Sequence, residues 1–261
     1  MKNLIYILLF ILIIPSGVIA ASYKPIDSSH VGPSPFKTGA SSSQTKTGRS
    51  STSSAAVKHS ATNSSATRTY VAKDGSIKLF GTVEIGRPVD TLPIWTDVLA
   101  RNRQDPIFIA DKYFNKTTTW NSLQEKVAKK PALQQLQIIN EFWNKWKYKE
   151  DQANWGKADY WAIPAQFLRK SGDCEDYSIV KYFTLKELGF DPHKMRIVVL
   201  RDTLTGQAHA VLAVYLENDV YILDNLSSVV LSHKRLAHYL PQYSVNEFRR
   251  WQHILPSGNR K

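Results

Sequence analysis

The sequence predicts an α+β domain, because helical periodicity comes first along the chain and strand-like apolar runs come after it. One well-bounded helix stands between the two regions. It follows Ser171-Gly172-Asp173-Cys174-Glu175-Asp176, which holds the only cysteine of the 261 residues. The predicted architecture is therefore a helical N-terminal part and a cysteine-bearing helix packed on an antiparallel sheet.

Residues 1–21 carry the marks of a secretory signal peptide: Lys2, an apolar run from Leu4 to Ile14, breakers at Pro15 and Gly17, and small-residue cleavage chemistry at Val18-Ile19-Ala20. The apolar run is short against the roughly 20 residues a spanning helix needs. An uncleaved anchor is the alternative. With no cysteine in it, the segment is not a lipoprotein signal. Residues 22–69 are Ser/Thr-rich, with Ser41-Ser42-Ser43 and Ser50-Ser51-Thr52-Ser53-Ser54, and lack the apolar content to form a core. They are expected to be a disordered linker, leaving 70–261 as the folded domain.

Within that domain, Ile77 to Ile85 predicts a weak strand or extended entry. Leu92 to Asn102 predicts a helix with Pro93 in its first turn, where proline is tolerated. Leu123 to Lys129 predicts a short helix. Leu133, Leu136, Ile139, Trp143 and Trp146 recur at helical spacing and predict a helix over Pro131 to Trp146. Residues 147–170 are rich in aromatics without a period and predict an irregular segment, with a turn of helix at Ala165 to Lys170. The next helix starts at Cys174, with Asp173 as N-cap, and runs to Leu188. Gly189 and Pro192 then supply a left-handed cap and a stop. Met195 to Arg201, Ala208 to Leu216 and Val220 to Asp224 predict three strands, the middle one covered on both faces. Leu231 to Tyr239 predicts a short helix, and Trp251 to Leu255 a last extended stretch.

The net charge of +12 comes from 34 basic and 22 acidic residues. The basic residues are scattered, with no run longer than Lys129-Lys130 or Arg249-Arg250, so the charge does not point to nucleic acid. A single cysteine makes no intramolecular disulfide and cannot build a cysteine-zinc site. Cys174 is thus a pairing site, a buried bystander or a working thiol.

A helix start favours a thiolate, whereas the flanking acids disfavour it. A working thiol needs a base and a group that orients the base. Of the seven histidines, His30 and His59 fall in the linker, and His193, His233, His238 and His253 fall in turns or the polar tail. His209 alone opens an apolar strand. If Glu217-Asn218 is a two-residue loop, Asp224 shares a face with His209 at a diagonal spacing of about 7–8 Å. A three-residue loop without a bulge would put it on the other face. Cys174, His209 and Asp224 are accordingly the candidate nucleophile, base and orienter. Each also has a plainer role, as a small core residue, a strand-end histidine and a turn cap. Asp173, Glu175 and Asp176 are hard oxygen donors suited to calcium, and they equally suit a helix N-terminus.

Asp159-Tyr160-Trp161-Ala162, Gly172-Asp173-Cys174-Glu175-Asp176-Tyr177, Lys181-Tyr182-Phe183-Thr184-Leu185, Gln207-Ala208-His209 and Leu223-Asp224-Asn225-Leu226 together resemble the bacterial transglutaminase-like cysteine proteinases. The similarity runs from about Leu79 to Trp251. It implies a transglutaminase-like, papain-related fold with Cys174 as nucleophile, His209 as general base and Asp224 as orienter. It also implies Ca2+ held by Asp173, Glu175 and Asp176 and required for activity. The implied substrate is a large surface adhesin, cut near its N-terminus at a paired-alanine site in the periplasm, which releases biofilm cells. The implied regulator is an inner-membrane cyclic-di-GMP receptor, with membrane contact only through that receptor or an uncleaved signal. The long Ser/Thr linker departs from the compact pattern of that family. Two other activities fit the same residues: acyl transfer to an amine, and non-catalytic binding of a peptide or wall polymer through Trp155 and Trp161.

Overall fold

A computed structural model describes residues 70–72 and 75–256, all within one compact unit, Ser65–Lys261. The expected signal peptide and linker lie outside the described residues. Among the described residues no helix is long and apolar enough to cross a membrane.

The helices are α1 (Pro93–Gln104), α2 (Trp120–Val127), α3 (Ala132–Trp143), α4 (Asp151–Trp155), α5 (Pro164–Lys170) and α6 (Cys174–Glu187). The strands are β1 (Val83–Pro88), β2 (Met195–Asp202), β3 (Ala208–Leu216), β4 (Asp219–Leu223), β5 (Leu231–Ser232), β6 (Tyr239–Val245) and β7 (Arg249–Ile254). They form one seven-stranded sheet in the order β1-β7-β6-β2-β3-β4-β5, and every neighbouring pair is antiparallel. The α+β expectation holds, with more strands than the apolar runs alone announce.

Local chemistry explains the helix ends. Thr119 and Ser122 form a reciprocal capping box that starts α2. Helix α6 ends as its sequence dictates: Gly189 takes φ 92°, and the Phe190 N–H reaches back to the Leu185 carbonyl at 3.0 Å. From Asp176 to Leu185 every residue of α6 is buried. It is a central helix, packed on β2 and β3 and flanked by α3 and α5.

Each face of the sheet carries its own apolar cluster. Met195, Ile197, Leu212, Val214 and Leu223 meet the helices, including Trp95, Trp143 and Phe167. Val198, Leu200, Val211, Ala213, Val220 and Ile222 form the opposite face, closed by Leu79, Phe80 and Tyr239. Strand β3 is therefore covered on both sides, as its unbroken apolar run predicts.

Three expectations change. Leu231 to Tyr239 is no helix: it holds β5, a 3-10 turn at His233–Arg235 and the start of β6. Pairing of Tyr221 with Ser232 and of Ile222 with Leu231 captures the segment for the sheet. His233 and His253 are buried rather than in a polar tail. His233 Nδ1 accepts the Phe80 N–H at 2.9 Å, and His253 bonds Thr82 and Ser244, each at 2.8 Å. Leu133, placed in the buried stripe of α3, is exposed.

Strand β6 also breaks its own alternation. Val199 pairs with Tyr243 but Leu200 pairs with Pro241, leaving Gln242 as an extra, bulged residue. Proline has no N–H for a ladder and is confined to such irregularities.

Candidate active site

Helix α6 begins at Cys174, with Asp173 in the N-cap position. The Asp173 side chain caps nothing, contrary to expectation: its Oδ1 is buried without a hydrogen-bond partner. The half-buried thiol donates to Glu175 Oε2 at 3.1 Å, and the Ala210 backbone N–H offsets a small part of the upward shift of its pKa. Ala210 lies on β3 beyond the last β3–β4 rung, Leu212 to Leu223.

The neighbouring His209 is buried, as is Asp224 just after β4. The pairing of Leu216 with Asp219 confirms the two-residue Glu217-Asn218 loop, so His209 and Asp224 share the face that register demands. His209 Nε2 lies 2.9 Å from Asp224 Oδ1. That bond leaves Nδ1 as the ring nitrogen open to a thiol. Asp224 Oδ1 also accepts the Leu226 N–H at 2.9 Å, and Oδ2 accepts the Tyr239 hydroxyl at 2.6 Å. Burial pushes the Asp224 carboxyl up, but the His209 hydrogen bond, its charge and the other donors hold it down at about 2.

Helix α3 anchors the chain around Asp224. Asn144 Nδ2 donates to the Asp224 carbonyl at 2.8 Å, and Asn140 Nδ2 to the Ser227 carbonyl at 2.8 Å. Gln137 accepts the Val230 N–H at 3.0 Å. Gln137 and Asn140 stand on one stripe of α3, and Asn144 is its C-cap residue. Behind them, Lys181 of α6 is fully buried, and its Nζ donates to Asn140 Oδ1 at 2.8 Å.

Beside the thiol lies a cluster of carboxylates larger than the sequence indicates. One oxygen each from Asp151, Asp159 and Glu175 lie within 4.8 Å of one another, and so do oxygens of Asp151, Asp173 and Asp176. Asp173, Glu175 and Asp176 are therefore brought to one place, but Asp151 links the two groups and Asp159 joins them. Asp151 stands on α4, far upstream of Asp173, and no local spacing marks it. Its Oδ2 accepts the Tyr160 N–H, and Asp176 Oδ1 accepts the Ala162 N–H at 2.6 Å. The remaining oxygens, Asp151 Oδ1, Asp173 Oδ1 and Asp176 Oδ2, are buried without a hydrogen-bond partner. Only glycine fits at position 172, since a Cβ there would lie 1.9 Å from Asp176 Oδ2.

Burial, then the Glu175 charge, pushes Asp173 up to about 11 and Asp176 well above the carboxylate range. Burial likewise raises Asp151 to about 7. The thiol is pushed up by burial, then by Glu175 and Asp173. Orphaned buried oxygens converging from several chain segments are a donor set for a hard divalent cation.

A half-buried thiol at a helix start and a strand histidine bonded to a carboxylate are the groups that a thiol protease uses. Within that class, the chain belongs to the bacterial transglutaminase-like cysteine proteinases, whose family model matches residues 109–259. Among solved structures, Legionella pneumophila LapG is 36% identical, over 51% of this chain and 75% of that one, with a TM-score of 0.46. Its EGTA-treated form gives 36% identity, 51% and 73% coverage and a TM-score of 0.46. Its calcium-bound form is 29% identical, over 64% of this chain and 89% of that one, with a TM-score of 0.48. A search of curated proteins returned no match.

Proposed function

We propose that this cysteine protease is a calcium-dependent endopeptidase, exported by residues 1–21 to the periplasm. There it cuts a large surface adhesin near its N-terminus and so controls attachment and biofilm dispersal, under an inner-membrane cyclic-di-GMP receptor. The observation that carries the chemistry is the buried His209 ring, its Nε2 2.9 Å from Asp224 Oδ1, in a chain whose one thiol opens α6.

In the proposed reaction His209 Nδ1 takes the thiol proton as Cys174 Sγ attacks the scissile carbonyl. The imidazolium keeps its Nε2–H on Asp224, then protonates the leaving amine. His209 next deprotonates a water, which attacks the thioester and releases the acid with the free thiol. The Cys174 N–H stands at the free end of α6 and is a donor for the oxyanion. Asp151, Asp159, Asp173, Glu175 and Asp176 would hold the calcium. Bound there, calcium would cancel the negative field that disfavours the thiolate.

The test is cleavage of an adhesin N-terminal fragment carrying a paired-alanine site, with calcium or with EGTA. Wild-type chain should shorten the fragment only with calcium, and Cys174→Ala should leave it intact. Cleavage by Cys174→Ala would end the proposal, and cross-linked rather than shortened products would make the chain an acyl transferase.

A further inference from the structure

The Asp224 carboxylate receives three hydrogen bonds, and the one on its second oxygen has a consequence of its own. A carboxylate turns about a broad, roughly two-fold torsion, so one well-placed donor on Oδ1 does not fix it. Here Oδ1 receives His209 Nε2 and the Leu226 N–H, while Oδ2 receives the Tyr239 hydroxyl at 2.6 Å. Tyr239 is itself buried. Its ring lies edge-on to Phe80 at 6.1 Å and to His209 at 5.8 Å, and its backbone is set opposite Asp202 by the β6 bulge. Burial, then the Asp224 charge, pushes the phenol above its ordinary range, so it stays a donor. Lys181, the buried amine nearby, is engaged by Asn140 Oδ1 instead.

We infer that Tyr239 is a positioning residue for the reaction, its hydroxyl pinning Asp224 Oδ2 so that Oδ1 stays on the His209 ring. This rests on the assignment of Cys174, His209 and Asp224 as the reacting set. Without the hydroxyl, Asp224 is free to turn away and His209 loses its fixed orientation towards the thiol. Substrate contacts are untouched, so the loss falls on the chemical step.

The experiment uses the full chain in calcium and reads two rates: alkylation of Cys174 by iodoacetamide, and kcat and KM on the adhesin fragment. Tyr239→Phe should lower both the alkylation rate and kcat about tenfold, the scale of one hydrogen bond to a charged group, with KM unchanged. On an Asp224→Asn background the same change should add no further loss, because Tyr239 acts through Asp224. Tyr239→Phe with wild-type alkylation and kcat would overturn the inference, as would a rise in KM alone. So would independent losses that multiply in the double variant. If Tyr239→Phe alone does not fold, Asp224→Asn and Asp224→Asn/Tyr239→Phe, which strand no buried charge, still make the comparison. A wild-type Cys174 that reacts no faster than free cysteine and cleaves nothing would overturn the proposed function along with this inference. A reactive wild type with an equally reactive Tyr239→Phe overturns this inference only.

Discussion

Asp151 is the residue on which the acidic cluster depends. It belongs to both groups of oxygens, and its Oδ1 is buried without a partner. In Asp151→Asn the amide oxygen can still accept the Tyr160 N–H, while one buried unpaired charge disappears. The variant should be more stable than wild type in EGTA, by about 1 kcal/mol or more, and gain less from calcium. Thermal unfolding in both media checks this; an unchanged calcium gain would remove Asp151 from the ion site. Lys181 makes the opposite case, a buried base. Burial holds it down at about 7 from 10.5, with Asp224 pulling back up. Between those values the unfolded chain binds a proton that the folded chain has released. Stability is therefore fully present above 10.5 and is lost as pH falls to about 7. Lys181→Met should flatten that slope in unfolding midpoints measured across the window, and an undiminished slope would mean the amine folds charged. At this scale the sequence foretells Cys174 at a helix start and His209 beside Asp224, because helix start, strand lip and hairpin register are local. It hides Asp151 and Tyr239, whose roles come from chain segments far away.

Among elements, the legible ones carry their own boundaries. Ala208–Leu216 is bounded as predicted, since its apolar run and the Glu217-Asn218 turn are both local signals. The first helices shift by a few residues: Leu123 to Lys129 becomes Trp120–Val127 because Thr119 and Ser122 supply the cap. Strand β6 is hidden, since Pro241, Gln242 and Ser244 interrupt any pattern and its partner β2 lies about forty residues away. The irregular stretch before Cys174 conceals α4, too short to show a period. Helix α3 has a second role that periodicity does not announce. Its amides hold the backbone around Asp224, with Asn144 on the Asp224 and Ser227 carbonyls at 2.8 and 2.9 Å. Asn144→Ala should cost about 1–3 kcal/mol of stability and lower kcat with little change in KM. Denaturant unfolding and steady-state kinetics check both parts; full kcat would confine the clamp to folding.

For the molecule as a whole, the acids join α4 and the turn after it to the start of α6, so an ion there would cross-link the helical layer beside the thiol. An ion that binds only the folded chain stabilises it by mass action, about 2.7 kcal/mol at one hundred times Kd. Calcium should raise the unfolding midpoint, and EGTA should expose the segment from Asp151 to Ile163 to proteolytic nicking before the sheet opens. Nicking elsewhere first, or a midpoint indifferent to calcium, would separate the acids from the fold's stability. The α+β class is evident from the order of patterns alone. The full sheet is not, because β1 and β7 join the two ends of the domain, and such pairing leaves no local trace.

The bulge at Gln242 makes the site sensitive to spacing in an uneven way. Tyr239 and Tyr243 are four residues apart and would share a face in a regular strand, yet they serve opposite faces here. Deleting Gln242 merely restores a regular ladder, with Pro241 still opposite Leu200 and Tyr239 still opposite Asp202. Deleting Leu240 as well leaves three residues of β6 against the four from Asp202 to Val199, which turns Tyr239 to the helical side and takes its hydroxyl from Asp224. Iodoacetamide should react with the first deletion variant as with wild type and slowly with the second. In comparing or redesigning such chains, a gap of one residue between Tyr239 and Tyr243 is silent, and a gap of two disarms the site.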